Sequence, residues 1–125
     1  MGRLPVLLVA DCEGNLVGWS GAQTWQVRPG RESEWSISGL TVVPEQRRRG
    51  IAKRLLRGVL RAVRGLAPEE PVLGIVNAGN LASIDLHTGL GFTEVERGST
   101  FAGVTFDGGE GVLLRNDPLQ PRPCR

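Results

Sequence analysis

The clearest chemistry in the chain lies in Val42-Val43-Pro44-Glu45-Gln46-Arg47-Arg48-Arg49-Gly50-Ile51-Ala52, an apolar strand that runs through a basic turn straight into a helix. The first N–H groups of a helix have no intrahelical acceptor, and the macrodipole adds partial positive charge at the same end. A phosphate or pyrophosphate is held there by backbone donors, with the flanking guanidinium groups assisting. Gly50 lets the backbone approach such a ligand, and Ala52 is small for the same reason, since a longer side chain would stand between amide and phosphate. Neither common nucleotide fingerprint fits: the segment contains no G-x-G-x-x-G and no G-K-[ST] closing a Gly-rich loop.

A second group of chemically capable residues follows in Asn80-Leu81-Ala82-Ser83-Ile84-Asp85-Leu86-His87-Thr88-Gly89-Leu90-Gly91-Phe92. Asn80 is a good N-cap for a short helix whose first two turns hold Ser83, Ile84, Leu86 and His87, and Gly89 and Gly91 end it. His87 is the only histidine in the chain. An imidazole titrates near neutral pH, which suits it to proton transfer; the plain alternative is a helix residue packed against Phe92.

The elements that must position these residues can be read from periodicity. Ile51, Leu55, Val59 and Val63 recur at helical spacing, and Ala52, Leu56 and Leu60 widen the same face, so one side of a helix is buried. Arg54, Arg57, Arg61 and Arg64 fall on another side. They read as a solvated face and not as a nucleic-acid stripe, because a formal net charge of +2 over 125 residues makes no large positive field. Pro71 to Val76 is a short apolar run of strand character. Upstream, Pro5 to Ala10 and Leu16 to Ala22 flank a turn at Asp11 to Asn15 and form a hairpin. Trp25 to Ser33 reads as a loop and Trp35 to Val43 as a strand with Gly39 as a bulge. Thr93 to Arg97 and Val112 to Arg115 complete the strands, joined by a Gly-rich connection. The architecture expected is α+β around one mostly antiparallel sheet flanked by helices, with a single domain over residues 1–116 and a flexible tail over 117–125.

Composition bounds the remainder. A chain of 125 residues with 40% hydrophobic content supports one domain with a true core. No apolar run is long enough to cross a bilayer and the first residues lack a cleavage pattern, so the reading is a cytoplasmic protein without a membrane partner. Cys12, in a turn, and Cys124, near the end, have neither metal spacing nor a disulfide framework, and no metal is expected.

Together the two segments carry a family likeness. Val42 through Ala52 resembles the acetyl-CoA motif of the GNAT N-acetyltransferase superfamily, V-x-P-x-x-[RQ]-x-x-G-[IL]-[GA], and Asn80 through Phe92 resembles its second motif, N-x-x-[AS]-x-x-[LF]-Y-x-x-x-G-F. Two motifs in the right order, with a helix and a strand between them, are far more specific than either alone, and the resemblance extends over roughly residues 6 to 115. It implies an acyl-CoA N-acyltransferase fold and acetyl-CoA as co-substrate. The resemblance assigns Gln46, Arg47, Arg48, Arg49, Gly50, Ile51, Ala52 and Lys53 to the pyrophosphate, Leu40, Thr41 and Val42 to the pantetheine arm, and Asn80 and Ser83 to its support. It further implies that the strand before the motif parts from its neighbour and offers a free N–H, here that of Val42, to the thioester carbonyl. Loss of one such donor in comparable sites costs about 3–4 kcal/mol. His87 occupies the position where the family carries a Tyr, as in the phosphinothricin-type branch, and is the implied general acid for the departing thiolate. A thiol of reference pKa near 8.5 is readily reprotonated by an imidazolium of reference pKa about 6.5.

Two departures from the family pattern stand out. Such domains usually open with a strand and two helices that wall the acceptor pocket, whereas this sequence starts at the second strand, giving an N-terminally truncated version. Either a second copy completes the pocket as a homodimer, for which Trp19, Trp25 and Trp35 are anchors if they are not core or pocket residues, or a large acceptor binds in an open groove. The usual acidic base is also missing: Ser38 and Gly39 stand there, Glu34 reads as a solvated loop residue, and an ordered water held by Ser38 is the default route for the proton. The expected reaction is direct acetyl transfer to a primary amine of a small molecule, with an amino-acid-like acceptor favoured by the His87 variant. A CoA-binding sensor or partner module without turnover is the alternative.

Overall fold

The computed structural model describes residues 5–47, 49–101 and 103–118. Its first hairpin pairs β1 (Val6–Cys12) with β2 (Asn15–Trp25) through a tight turn in which Glu13 (φ 52°) and Gly14 (φ 84°) are both left-handed. That turn matches the twist of antiparallel strands. Both strands outrun the sequence reading, so Cys12 ends a strand instead of lying in the turn. β3 (Glu34–Val42) lies antiparallel to β2. Its bulge is real but falls on Ser38, one residue from the expected Gly39, because Gly21 faces Gly39 while Ala22 faces Ile37.

A single 3-10 turn (Pro44–Gln46) leads to α1 (Ile51–Leu66), followed by β4 (Val72–Asn77), α2 (Leu81–Gly89) and β5 (Thr93–Gly98). Between β5 and the last strand, where the sequence suggests a plain Gly-rich connection, β6 (Thr100–Phe101) and β7 (Val104–Thr105) form a small separate hairpin, and a second 3-10 turn (Asp107–Gly109) precedes β8 (Gly111–Asn116). The main sheet has the order β1-β2-β3-β4-β8-β5, and β3/β4 is its one parallel pair. A parallel pair needs a crossover, and α1 provides it.

The apolar stripe of α1 buries Leu55, Leu56, Val59, Leu60 and Val63. All but Leu55 belong to the core cluster with Trp35, Val72, Val76, Val112 and Leu114 from the sheet and with Phe92 just before β5, and full burial of such a side chain contributes about 1.5–3 kcal/mol. Alternation along β4 and β8 sends Leu73 and Leu113 to the opposite face, where Val27 and Phe101 cover them and Trp25 and Phe106 border the cluster. Trp35 is 1% exposed and belongs to the core, so it anchors no interface.

Two residues read as solvated are structural. The Arg64 guanidinium donates to the Glu70 carbonyl, to the Asn116 carbonyl at 3.0 Å and to Asn116 Oδ1 at 2.6 Å, while Asn116 Nδ2 donates to the Leu90 carbonyl at 3.0 Å. The end of α1, the end of β8 and the end of α2 are thereby tied at one point. Glu34 is paired as well: Arg28 Nη2 reaches its two carboxylate oxygens at 3.1 and 2.9 Å, on side chains only 12% and 18% exposed. A carboxylate already committed to a guanidinium fork is not offered to an acceptor amine. Of the expected tail, Asp117 and Pro118 are described; 119–125, with Cys124, lies outside the described residues.

Candidate active site

Three local devices build the site. The first is the start of α1. Gly50 is its N-cap in the left-handed region (φ 75°, ψ 10°), with no side-chain cap and open space where a Cβ would stand. The first helical bond runs from Arg54 N–H to the Gly50 carbonyl at 3.1 Å, so the N–H groups of Ile51, Ala52 and Lys53 have no acceptor within the helix. No acidic residue occupies the first turn, where one would ordinarily complement the dipole. The strongest claim on these donors is therefore an external anion.

The second device is a parting of strands. β3 and β4 pair only at Trp35 with Val72 and Ser36 with Leu73, and separate beyond. On its other side β3 stays bonded to β2: Val43 N–H donates to the Val17 carbonyl at 2.8 Å, and the register Gly18–Val42, Trp19–Thr41, Ser20–Leu40 is unbroken. Successive residues of a strand turn their N–H and C=O to opposite edges. With Val43 facing β2, the N–H groups of Val42 and Leu40 face the gap, where no strand pairs with them.

The third device is α2. Asn80 Oδ1 accepts the Ser83 N–H at 3.1 Å, as the N-cap reading requires, and the Ser83 carbonyl then accepts His87 Nδ1–H at 2.7 Å. Because a carbonyl only accepts, that bond puts the ring proton on Nδ1 and leaves Nε2 with a lone pair. The ring is 4% exposed, sits edge-on to Phe92 with centroids 4.9 Å apart, and turns Nε2 against Gly74, where an added Cβ would come within 3.3 Å. Burial lowers the His87 pKa from 6.5, opposed by the bond to Ser83. The ring is therefore neutral at physiological pH, and an imidazolium waiting to protonate a leaving group is not its resting state.

These devices meet in one cleft. An outer compartment of about 580 Å³ is lined by Leu40, Thr41, Val42, Gln46, Arg47, Gly50, Ile51, Ala52, Lys53, Asn80 and Ser83, all residues the resemblance assigned to the cofactor, and by Ala82 and Leu86 of α2. An inner one of about 230 Å³ is lined by Ile37 to Leu40, Ile75 to Asn77, Asn80, Ser83 and His87. Leu40, Asn80 and Ser83 border both, so the compartments are continuous. Leu40 therefore shares the inner compartment with His87, whereas Val42 borders only the outer part. Arg49 lines a neighbouring groove with Leu8, Asp11, Cys12 and Arg54, which shares Gln46 and Ile51 with the cleft, and Arg48 lies outside the described residues. Arg47 spends its Nε on the Val42 carbonyl at 3.2 Å, which pins the strand end to the turn. Ile75, Val76 and Asn77 carried no motif. The rule that ligands bind beyond the carboxyl ends of strands would have pointed to them.

The profile of the acetyltransferase (GNAT) family matches residues 3–92, a span that contains both motifs and every element of the cleft. The chain belongs to the acetyltransferase (GNAT) family. By family it is an acyl-CoA-dependent N-acetyltransferase. No curated protein matches the GNAT chain by sequence, but solved structures share its fold. A ribosomal-protein-alanine N-acetyltransferase from Brucella melitensis is 24% identical at a TM-score of 0.74, over 89% of this chain and 67% of its own. The protein yncA from Salmonella typhimurium, solved with its cofactor acetyl-CoA, is 21% identical at a TM-score of 0.76, over 95% of this chain and 68% of its own. A protein described provisionally as a phosphinothricin N-acetyltransferase is 21% identical at 0.72, over 91% and 72%. The GNAT chain thus spans about two thirds of the length of these neighbours. Its cleft fits an acyl-CoA: unpaired amides and Lys53 suit a diphosphate, and the open strand edge suits an amide-bearing arm. Among the described residues no cluster suited to a metal occurs.

Proposed function

We propose that this chain transfers an acetyl group from acetyl-CoA directly to the primary amine of a small, amino-acid-like acceptor. The observation that carries the reading is the parting of β3 from β4 after Ser36 and Leu73, which puts the anion cradle of α1 and the ring of His87 along one cleft. In this reading the N–H groups of Ile51 to Lys53 hold the diphosphate and Lys53 supplies charge. The Val42 N–H bonds the pantetheine arm. The Leu40 N–H, nearest His87, takes over the role the sequence suggested for Val42 and stabilises the carbonyl oxygen that gains negative charge as the amine attacks.

Proton traffic follows from the state of His87. The attacking amine must lose a proton and the departing sulfur must gain one. A neutral imidazole with its lone pair on Nε2 accepts the first and, once charged, delivers it to the second, so one ring serves as base and then as acid. That assignment also supplies the base that neither Glu34 nor Ser38 provides. Neither cysteine is in a motif position, so no acyl-enzyme is invoked. A homodimer is part of the proposal, supported by the apolar edge of β1, where Leu7 is 65% and Val9 58% exposed.

The test is paired. Acetyl-CoA at a hundred times its dissociation constant raises stability by about 2.7 kcal/mol, and a panel of amino acids, small amines and an alanine-initiated peptide is scanned for release of free thiol. Thermal stabilisation with no thiol release from any amine would make the chain a CoA-binding module, and no stabilisation would remove the reading altogether.

A further inference from the structure

Ser20 is fully buried in the middle of β2, and its hydroxyl donates across the sheet to the Gly39 carbonyl at 2.7 Å. A hydroxyl inside a sheet whose backbone groups bond one another has no obvious structural task. Its acceptor does: the Gly39 carbonyl and the Leu40 N–H belong to one planar, trans peptide unit and point in opposite directions. Anything that holds the carbonyl toward β2 aims the N–H at the gap between β3 and β4.

This peptide needs such a hold because it follows the bulge. Ser38 is the extra residue, and an extra residue disrupts the ladder beside it. The other face of Gly39 is covered by the Trp19 indole, so closely that a Cβ on Gly39 would fall 2.4 Å from Cη2. Opposite, Gly21 is pressed on β1, where a Cβ would fall 2.6 Å from the Val6 carbonyl oxygen. The kink is thus crowded on the face toward which both glycines would carry a Cβ, and the Ser20 hydroxyl adds a second hold on the Gly39 carbonyl to the pairing with Gly21. A hydrogen bond received by the carbonyl also polarises the amide, which strengthens its N–H as a donor.

We infer that Ser20 is a positioning residue for acetyl transfer: it orients and polarises the Gly39–Leu40 peptide so that the Leu40 N–H bonds the thioester carbonyl. This rests on the acetyl-transfer reading above. Ser20 touches no substrate and acts only through that peptide.

The experiment compares Ser20→Ala, Ser20→Cys and Ser20→Thr in the full chain, with acetyl-CoA carrying a carbon-13 acetyl carbonyl as the probe. Expected for Ala and Cys is a fall in kcat of about tenfold or more, in keeping with the sensitivity of transfer steps to small misplacements, with acetyl-CoA affinity within about twofold of wild type. Thr, which keeps the donor, restores kcat. The infrared band of the bound carbonyl, lowered in wild type by the Leu40 bond, moves back up in Ala and Cys and not in Thr. Wild-type kcat in Ser20→Cys, or equal losses of kcat and cofactor affinity, would overturn the inference. So would an unmoved carbonyl band. Should Ser20→Ala not fold, Ser20→Cys keeps the volume and carries the comparison. Because the band is read on bound acetyl-CoA without turnover, the clamp and the acetyl-transfer reading fail separately: an inactive wild type whose band still depends on Ser20 leaves the clamp standing.

Discussion

His87 shows how a ring's environment assigns its role. Its partners are a carbonyl that fixes the tautomer and an aromatic edge that excludes water. Burial lowers its pKa from 6.5, which makes the neutral form the resting one and, in the proposed reaction, the form that accepts the proton. The His87 contribution to kcat therefore falls on the acid side, below pH 6.5, and is level above it; a His87-dependent fall toward alkaline pH would restore the imidazolium-acid role. His87→Gln keeps a side chain able to meet Ser83 but cannot relay a proton at neutral pH. It should lower kcat by about 10²–10⁴-fold with acetyl-CoA affinity nearly unchanged, and unchanged turnover would take His87 out of the mechanism. Stability follows the same sign. Between 6.5 and the lower folded value the unfolded chain binds a proton that the folded chain refuses, so the free energy of unfolding drops as pH falls through that window. In His87→Gln that component is absent, which denaturant titrations at two pH values resolve.

At the scale of elements, the cleft depends on where helices and strands end. The Arg64–Asn116–Leu90 junction ties the far ends of α1, β8 and α2, well away from the cradle. Arg64→Ala removes the hydrogen bonds that a charged donor makes to the Glu70 and Asn116 carbonyls and to Asn116 Oδ1. A loss of about 1.5–3 kcal/mol in denaturant unfolding is expected, with acetyl-CoA affinity of the folded protein unchanged. A loss below about 0.5 kcal/mol would return Arg64 to the solvated face. Spacing alone could not separate Arg64 from Arg54, Arg57 and Arg61, because an arginine stripe looks the same whether or not another strand ends beneath it.

For the whole molecule, the arrangement of layers decides what is left uncovered. Both helices pack in the main core, and a smaller cluster around Val27 and Phe101 covers only part of the other face. Leu7 and Val9 stay exposed on the sheet edge, Val9 beside Trp19 in the register. An unpaired, apolar edge strand is a template for association. Sedimentation at micromolar concentration should find a dimer, and Val9→Lys, which puts a charge on that edge, should return a monomer. A wild-type monomer would sink the dimer proposal and leave the cleft untouched.

Much of the cleft was legible in the sequence because its parts are local. Gly50 before a helical stripe, Asn80 three residues before Ser83, and His87 four residues after it are contacts within one or two turns, and local spacing reports them directly. Eleven of the residues that the family resemblance named line the outer compartment together. What escaped was set by pairing between distant segments. Glu34 looked solvated because its partner Arg28 sits across a loop, and Trp35 stayed open between anchor and core because burial depends on what packs above it.

The sequence by itself determined the family, the anion cradle at Gly50 and the helix that carries His87, since each follows from residues close in the chain. Only the tertiary structure decided that Leu40 and not Val42 shares the inner compartment with His87, that burial pulls the His87 pKa down, and that the Ser20 hydroxyl holds the Gly39 carbonyl. Those outcomes depend on strand register, on burial and on a bulge, and each is fixed by atoms that come together only when the sheet closes.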